Sequence, residues 1–279
     1  MMASSEQRNI LYDFRLYAAL AIITTVSLGT IYSLVYDTAI DTSSPIAAYH
    51  PHGHPLGESS YFARKTNILN VYFIKRAWGW TSGAFFILWM AGPSERRTPA
   101  RAARWGAATA VWLLFARWFF GMPLGARVTL LTGGECQIRL PQGEYVTVPT
   151  KHCVDGAGPL SPASHPDIFK QALSSLTGDP ALLPTNSWRA RAHLLKGHDI
   201  SGHVFLMTLS VLFLASELQQ FRRVSESVRS SQPYKVALYA TTALIGIWFL
   251  ALWTTSVYFH TVAEKVSGLR ESCSLFCRS

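Results

Sequence analysis

The sequence is poor in charged residues. Only 15% of its 279 residues are Asp, Glu, Lys or Arg, whereas a soluble domain contains about 25%. Hydrophobic residues make up 49% of the chain, and the mean hydropathy is +0.17. This balance excludes an ordinary soluble domain and predicts a polytopic membrane protein.

The charges that are present are mostly basic. The formal net charge is +9, yet no motif typical of DNA- or RNA-binding domains accompanies it. In membrane proteins, Lys and Arg concentrate in cytoplasmic loops and at sites that face anionic lipid or phosphate. We therefore expect membrane lipid and a phosphorylated ligand as partners, and no nucleic acid.

Long apolar runs predict an all-α membrane helical bundle with about five spans. A helix needs about 20 apolar residues to cross the hydrocarbon core. The first run lacks an A-x-A cleavage pattern, so it is interpreted as a retained anchor. The single membrane domain 1–279 would have spans near 16–36, 71–92, 105–121, 201–221 and 234–259, a long loop at 122–200 and a polar tail at 267–279.

Charge in the short loops predicts the orientation. Loops 93–104 and 222–233 contain four and three arginines, each with one glutamate, and such loops stay in the cytoplasm. The long loop 122–200 would then be lumenal. Its two cysteines, Cys136 and Cys153, could pair in an oxidising compartment.

Two histidine blocks lie far apart in the chain, at 196–203 (KGHDISGH) and 258–265 (YFHTVAEK). The first precedes the fourth predicted span and the second follows the fifth. His203 and His260 should therefore emerge at the same face of the bilayer, where polar residues are costly and usually functional. The alternative for either histidine alone is an interfacial polar residue.

The first block has the features of an anion site. At the start of a helix the first N–H groups lack intrahelical partners, and Gly202, after Ser201, would let a phosphate approach closely. Asp199 is the expected N-cap, one turn before His203. In the second block, His260 and Glu264 are one helical turn apart, so the carboxylate can fix the imidazole tautomer and raise its basicity.

Four cations are predicted near the same face. Lys75 and Arg76 lie at the lumenal end of the second predicted span, and Arg117 and Arg127 lie just inside and just outside the lumenal end of the third. With the two histidines they would suit a diphosphate on a lipid chain. The alternative is that they extend to the interface without a ligand. The run at 50–54 (HPHGH) brings no Cys or carboxylate at ligand spacing, so we predict neither a metal nor another cofactor.

The segments GHDISGHVFLM and FHTVAEKVSG, within 196–207 and 259–268, resemble the two signature blocks of the fat storage-inducing transmembrane (FIT) protein family, from a fungal source. The Trp78-Gly79-Trp80 entry to the second span is similar as well. The FIT family is itself similar to the lipid phosphate phosphatases, whose core has a Ser-Gly-His block and a later His followed by an acidic residue. The resemblance implies a lipid phosphate phosphatase-like core.

The resemblance also implies a function. The protein would be an endoplasmic reticulum enzyme that cleaves the diphosphate of fatty acyl-coenzyme A into acyl 4′-phosphopantetheine and adenosine 3′,5′-bisphosphate, with effects on lipid droplets. His260 would be the nucleophile, Glu264 its orienting partner and His203 the general acid. The substrate-binding groups would be Ser201, Gly202, Asp199, Lys75 and Arg117.

The chain departs from these families in two places. Trp253 and Thr254 occupy the positions of the Ser-Arg that precedes the second His in the lipid phosphate phosphatases. The FIT pattern has a sixth span after the second His, for which the tail 267–279 is too short and polar. Two other functions stay open: a non-enzymatic scaffold that binds neutral lipid, and a haem protein ligated by two histidines.

Overall fold

The computed structural model describes residues 13–116, 123–153, 158–175, 184–222 and 224–276. The long helices are α1 (Phe14–Tyr36), α3 (Ala77–Ala91), α4 (Pro99–Ala116), α7 (Gly202–Phe221), α9 (Gln232–Tyr258) and α10 (Val262–Phe276). The short elements are α2 (Pro45–Tyr49), α5 (Leu124–Leu131), β1 (Glu135–Arg139), β2 (Tyr145–Thr147), α6 (Pro166–Ser175), β3 (His193–Leu195) and α8 (Glu226–Arg229).

Helix α7 is the central helix of the bundle. Of its most apolar stretch, 78% is buried inside the protein, against 28% for α1 and 33% for α9. Phe205 and Phe213 of α7 pack in one core with Phe85 of α3 and Trp248 of α9. The outer sides of α1 and α9 expose apolar side chains, as expected where lipid is the solvent.

Three helices, α1, α7 and α9, are long and apolar enough to cross a membrane. They coincide with the first, fourth and fifth predicted spans, so the chain is a membrane protein with a helical bundle. Helix α3 has only 15 residues and follows a π turn and a 3-10 turn at Leu69–Phe73 and Ile74–Arg76. That α3 and α4 also cross stays a prediction.

The prediction of a loop at 93–104 is wrong for residues 99–104. Helix α4 begins at Pro99, so Arg101 and Arg104 lie on its first turns. Proline is favoured at the first helical position because its missing N–H would be unpaired there anyway. Arg101 is buried. It forms an ion pair with Glu217, which is 116 residues away in the chain. Residues 117–121 of the predicted third span lie outside the described residues.

The all-α prediction is wrong for the segment between α4 and α7. This segment contains a three-stranded antiparallel sheet in the order β2-β1-β3. Cys136 and Cys153 form a disulfide, which confirms their pairing. Cys136, Gln137 and Ile138 of β1 are all buried, so both faces of this central strand are covered.

Residues 267–276, predicted to be part of a polar tail, belong to α10 and pack against α7. The Ser272 hydroxyl, which is buried, donates to the Phe205 carbonyl at 3.0 Å. A Cβ at Gly268 would lie 2.7 Å from the Ser201 carbonyl oxygen, so only glycine allows α10 this close to the start of α7. The segment that follows His260 therefore helps to build the polar end of the bundle.

Candidate active site

The two histidine blocks meet at one cavity of about 530 Å³. His203 lies on the first turn of α7, and His260 lies in the short link between α9 and α10. Both histidines line this cavity, together with Asp199 and Gly202. The predicted convergence of the two blocks at one end of the bundle is therefore present in the structure.

The backbone that carries His260 is fixed by the end of α9. The last four carbonyls of a helix have no intrahelical donor, but in α9 each of them accepts a hydrogen bond. The Phe259 N–H donates to the Thr255 carbonyl at 2.9 Å, and the Lys265 ammonium donates to the Ser256 carbonyl at 2.6 Å. The Thr38 hydroxyl donates to the Val257 carbonyl at 2.7 Å, and the Ile40 N–H donates to the Tyr258 carbonyl at 3.1 Å. The chain after α1 is thereby attached to the end of α9.

His260 itself has a left-handed backbone conformation, with φ of 67°. This conformation is uncommon for a residue with a Cβ and often marks functional positions. The His260 N–H donates to the Ile40 carbonyl at 2.9 Å. The hydrogen bonds of the α9 end and of Ile40 thus hold the histidine in a conformation that the isolated chain would disfavour.

One ring nitrogen of His260 is held by two oxygen atoms. Its Nδ1 lies 3.3 Å from Glu264 Oε2 and 3.0 Å from Thr42 Oγ1. The Thr42 hydroxyl has a single proton, which it donates to Asp199 Oδ2 at 3.0 Å. Thr42 is then an acceptor toward His260. Nδ1 therefore carries the proton, and the lone pair of a neutral imidazole is on Nε2.

Glu264 connects the two histidine blocks. Its Oε2 accepts the Thr261 N–H at 2.8 Å, and its Oε1 accepts the Asp199 N–H at 3.3 Å. Burial alone would raise the pKa of this carboxyl, but the hydrogen bonds from His260 and from these backbone groups outweigh it, so the pKa of Glu264 is lowered. The side chain is 2% exposed, and it stays ionised beside His260.

The cap of α7 is Ser201, so the prediction of an Asp199 cap is wrong. Ser201 Oγ accepts from the Val204 N–H, and the Ser201 N–H donates to the Glu264 carbonyl at 3.2 Å. The predicted contact between the Ser201 N–H and phosphate would have to displace that bond. Within the described residues, the N–H groups of Gly202 and His203 have no partner, so they are free to bind an anion.

Asp199 is bound to Thr42 and not to His203. Its carboxylate accepts from the Thr42 hydroxyl and lines the cavity. Burial raises the pKa of Asp199, although the nearby His260 lowers it in part. A carboxyl group that takes up a proton more readily repels a bound phosphate less.

The predicted cations differ in their positions. Lys75 is exposed and does not line the cavity, although its charge acts on His203. Arg117 lies outside the described residues. Lys65 was not predicted; it is half-buried, and its charge acts on both His203 and His193. Nothing in the local sequence marks Lys65. The room for its side chain depends on Gly53, because a Cβ at that position would lie 2.3 Å from the Lys65 side chain.

Lys265 faces the protein interior. Its Nζ donates to the Ser256 carbonyl at 2.6 Å and lies 3.4 Å from Ser33 Oγ. The side chain is 1% exposed, and burial lowers its pKa to about 8, against the opposing effect of Glu264. Lys265 therefore caps a helix end, where a cation is favourable, and cannot reach phosphate or head groups.

Part of the cavity lining is apolar. Trp112 and Phe115 of α4 and Phe205 and Leu206 of α7 form this part. The rings of Phe115 and Phe205 are stacked with centroids 3.9 Å apart. Thus one cavity joins two imidazoles and free helix N–H groups to an apolar surface, an arrangement that suits an amphiphile with an anionic head.

A sequence profile of the family described as fat storage-inducing transmembrane protein matches residues 58–238 and 222–277. Acyl-coenzyme A diphosphatase fit1 of Schizosaccharomyces pombe is 28% identical over 91% of this chain and 78% of its own length. Acyl-coenzyme A diphosphatase FITM2 of Sus scrofa is 29% identical over 77% of this chain and 69% of its own length.

Human fat storage-inducing transmembrane protein 1 is 25% identical over 82% of this chain, which spans 65% of that relative. No solved structure matches the chain. The profile match covers most of the sequence, including both histidine blocks. The chain belongs to the fat storage-inducing transmembrane (FIT) protein family.

Proposed function

We propose that this protein is an acyl-coenzyme A diphosphatase, which cleaves fatty acyl-coenzyme A into acyl 4′-phosphopantetheine and adenosine 3′,5′-bisphosphate. The observation that carries the proposal is the pair of histidines on one cavity, with Nδ1 of His260 bound to a buried carboxylate. Relatives with this activity in their names, from fission yeast and pig, support the choice of substrate.

His260 is the nucleophile in this proposal. Nε2 has the lone pair, because Nδ1 carries the proton that Glu264 and Thr42 accept. Attack of Nε2 on one phosphorus forms an N–P bond and breaks the P–O bond to the bridging oxygen. Glu264 stabilises the positive charge that develops on the ring, as carboxylates do beside other catalytic histidines.

His203 is the general acid. In its protonated form it gives a proton to the bridging oxygen as the second phosphate leaves. In the second half of the reaction the neutral His203 takes a proton from water, whose oxygen attacks the phosphorus and releases His260. The two half-reactions consume one water molecule and return both histidines to their initial states.

The free N–H groups of Gly202 and His203 would bind the non-bridging oxygens at the N-terminus of α7, where the helix dipole favours negative charge. The positive charge of Lys65, which acts on His203, adds to the attraction for an anion. The apolar side chains of Trp112, Phe115 and Phe205 in the same cavity would hold the pantetheine arm that carries the acyl chain. Positioning and charge stabilisation of this kind supply most of the catalysis in phosphoryl transfer.

The proposed location is the endoplasmic reticulum membrane, with the cavity on the lumenal side, where the activity would support lipid-droplet formation and lipid homeostasis. The disulfide between Cys136 and Cys153 supports an oxidising compartment for the segment beside the cavity. The loop 222–233 at the other end of α7 is rich in arginine, which supports a cytoplasmic location for that end.

Hydrolysis of oleoyl-coenzyme A by the purified full-length protein tests the proposal, with the products identified by mass spectrometry. We expect the two phosphorylated products from the wild type, none from His260→Ala, and normal yields from the control His165→Ala, which removes a histidine remote from the cavity. Release of free fatty acid and coenzyme A, or unchanged hydrolysis by His260→Ala, would contradict it.

A further inference from the structure

A second cavity, of about 300 Å³, lies beside the extramembrane sheet. Its lining includes Tyr49 of α2, Arg139 of β1 and Tyr145 of β2. None of these residues is used by the proposed chemistry. The cavity combines two aromatic rings with a guanidinium group, which is the combination that binds a nucleotide base and its phosphate.

The sheet register places the arginine and one tyrosine side by side. Arg139 and Tyr145 are directly opposite each other in the antiparallel pair of β1 and β2, and residues in such positions have neighbouring side chains on one face. Both are exposed. None of the ion pairs in the described part of the chain involves Arg139, so its charge is available to a ligand.

Tyr49 is held rigidly under this surface. Its hydroxyl donates to the Gln137 carbonyl at 3.2 Å. Its ring lies between Tyr145, with centroids 5.8 Å apart, and His193, with centroids 5.0 Å apart. A rigid aromatic platform loses little entropy when a planar ligand stacks on it.

Residues that line the two cavities are close together in the chain. Ser43 lines the catalytic cavity and Pro45 lines the second, and two residues of extended chain span at most about 7 Å. Leu194 lines the catalytic cavity, while its neighbour His193 packs on Tyr49. Lys65, whose charge acts on His203, donates to the Ala47 carbonyl in α2 between the two cavities.

From this arrangement we infer that the second cavity is the subsite for the adenosine 3′-phosphate end of the substrate. The base stacks on Tyr145, which packs against Tyr49, and Arg139 binds the 3′-phosphate. This inference rests on the proposed function, because adenosine in coenzyme A is joined directly to the diphosphate. With the diphosphate at His203 and His260, the nucleotide must lie in an adjoining site, and the pantetheine arm with its acyl chain extends the other way along α4 and α7.

Equilibrium binding of adenosine 3′,5′-bisphosphate to the purified full-length protein, measured by isothermal titration calorimetry, tests the subsite without requiring turnover. We expect Tyr145→Ala to weaken binding about tenfold and Tyr145→Phe to change it by less than about twofold, because stacking uses the ring and not the hydroxyl. Arg139→Gln should weaken binding of the bisphosphate to the level of adenosine 5′-monophosphate, which lacks the 3′-phosphate. The control Lys151→Gln removes an exposed positive charge from the same extramembrane segment and should have no effect.

The outcomes separate the subsite from the proposed activity. Equal affinities of Tyr145→Ala, Arg139→Gln and wild type would overturn the subsite even if acyl-coenzyme A is hydrolysed. Binding that depends on Tyr145 and Arg139 would support the subsite even if no hydrolysis occurs, in which case the proposed activity is wrong. If Tyr145→Ala fails to fold, the loss of selectivity for the 3′-phosphate in Arg139→Gln decides the question.

Discussion

The two ends of α7 each have a buried carboxylate, but with different partners. At one end Glu217, which is fully buried, accepts hydrogen bonds from Arg101 Nε and Nη2 at 2.8 and 2.6 Å. At the other end Glu264 lies 3.3 Å from His260 Nδ1. The first pair is enclosed by Phe85 and Trp89, whose rings lie 5.9 and 5.4 Å from the guanidinium carbon, whereas the second faces a cavity.

The difference is one of chemistry as well as of access. An arginine stays protonated at all ordinary pH values, so its pair with Glu217 can only attach α4 to α7. A histidine can accept and donate a proton during a reaction. Within the described part of the chain no group binds Nε2 of His260, whereas Nδ1 is bound. We infer that the same interaction, a buried carboxylate with a basic partner, stabilises the fold at one end and supports catalysis at the other.

The largest expected effect comes from removing His260, the proposed nucleophile. His260→Ala should lower kcat by more than about 10⁴-fold, whereas His203→Ala should cost about 10²- to 10⁴-fold, the range for a lost acid-base group. Steady-state kinetics with acyl-coenzyme A measure both values, and thermal unfolding checks that both variants fold. Small and equal losses would contradict the assigned roles.

At the other end of α7 the expected effect is on stability. Arg101→Met leaves Glu217 buried without its main partner, which should cost about 3–5 kcal/mol and leave kcat of the folded protein unchanged. The double variant Arg101→Met/Glu217→Met should recover most of the loss, because no unpaired charge remains. Thermal unfolding measures the loss. A double variant no more stable than Arg101→Met would show that the pair is not what attaches α4 to α7.

A smaller effect is expected at Thr42, which accepts from His260 and donates to Asp199. Thr42→Val keeps the shape but removes the hydroxyl, and one lost hydrogen bond should lower kcat about tenfold. Thr42→Ser, the matched control, keeps the hydroxyl and should retain most of the activity. If the valine variant has normal kinetics, Thr42 does not position the nucleophile.

The smallest effect concerns pH. Because the pKa of Glu264 is lowered below 4.5 in the folded state, its charge contributes stability that is fully present above pH 4.5 and is lost as the pH falls through the folded pKa. The difference in Tm between wild type and Glu264→Gln should therefore be constant from pH 7 to about 5.5 and shrink below pH 4.5. A constant difference down to pH 3.5 would show that Glu264 gains no such stabilisation.

Part of this organisation could be predicted from the sequence. The apolar runs predicted α1, α7 and α9, because membrane spans have a length and composition that few other elements share. The two histidine blocks predicted that His203 and His260 meet, since each adjoins one of two consecutive spans. The pairing of His260 with Glu264 was predicted from helical spacing and is present, but His260 lies before α10 in a left-handed conformation, so the expected continuous helix is wrong.

The remainder depends on contacts that leave no local pattern. Thr42 reaches His260 because the chain after α1 pairs with the end of α9, 218 residues away. Arg101 resembled a loop cation, since its partner Glu217 is 116 residues distant. The strands β2 and β3 have three residues each, which is too short for a clear alternation.

The most direct test of the comparison replaces one carboxylate at each end of α7 by its amide, in Glu264→Gln and Glu217→Gln, and measures kcat and Tm on the same preparations. We expect Glu264→Gln to lower kcat about 10²-fold with KM nearly unchanged, because the amide cannot stabilise the charged ring. Glu217→Gln should keep kcat within about twofold and lower Tm by several degrees, because the charge partner of Arg101 is lost. Normal turnover of Glu264→Gln, or an equal loss of turnover in both variants, would contradict the assignment of catalysis to one end and stability to the other.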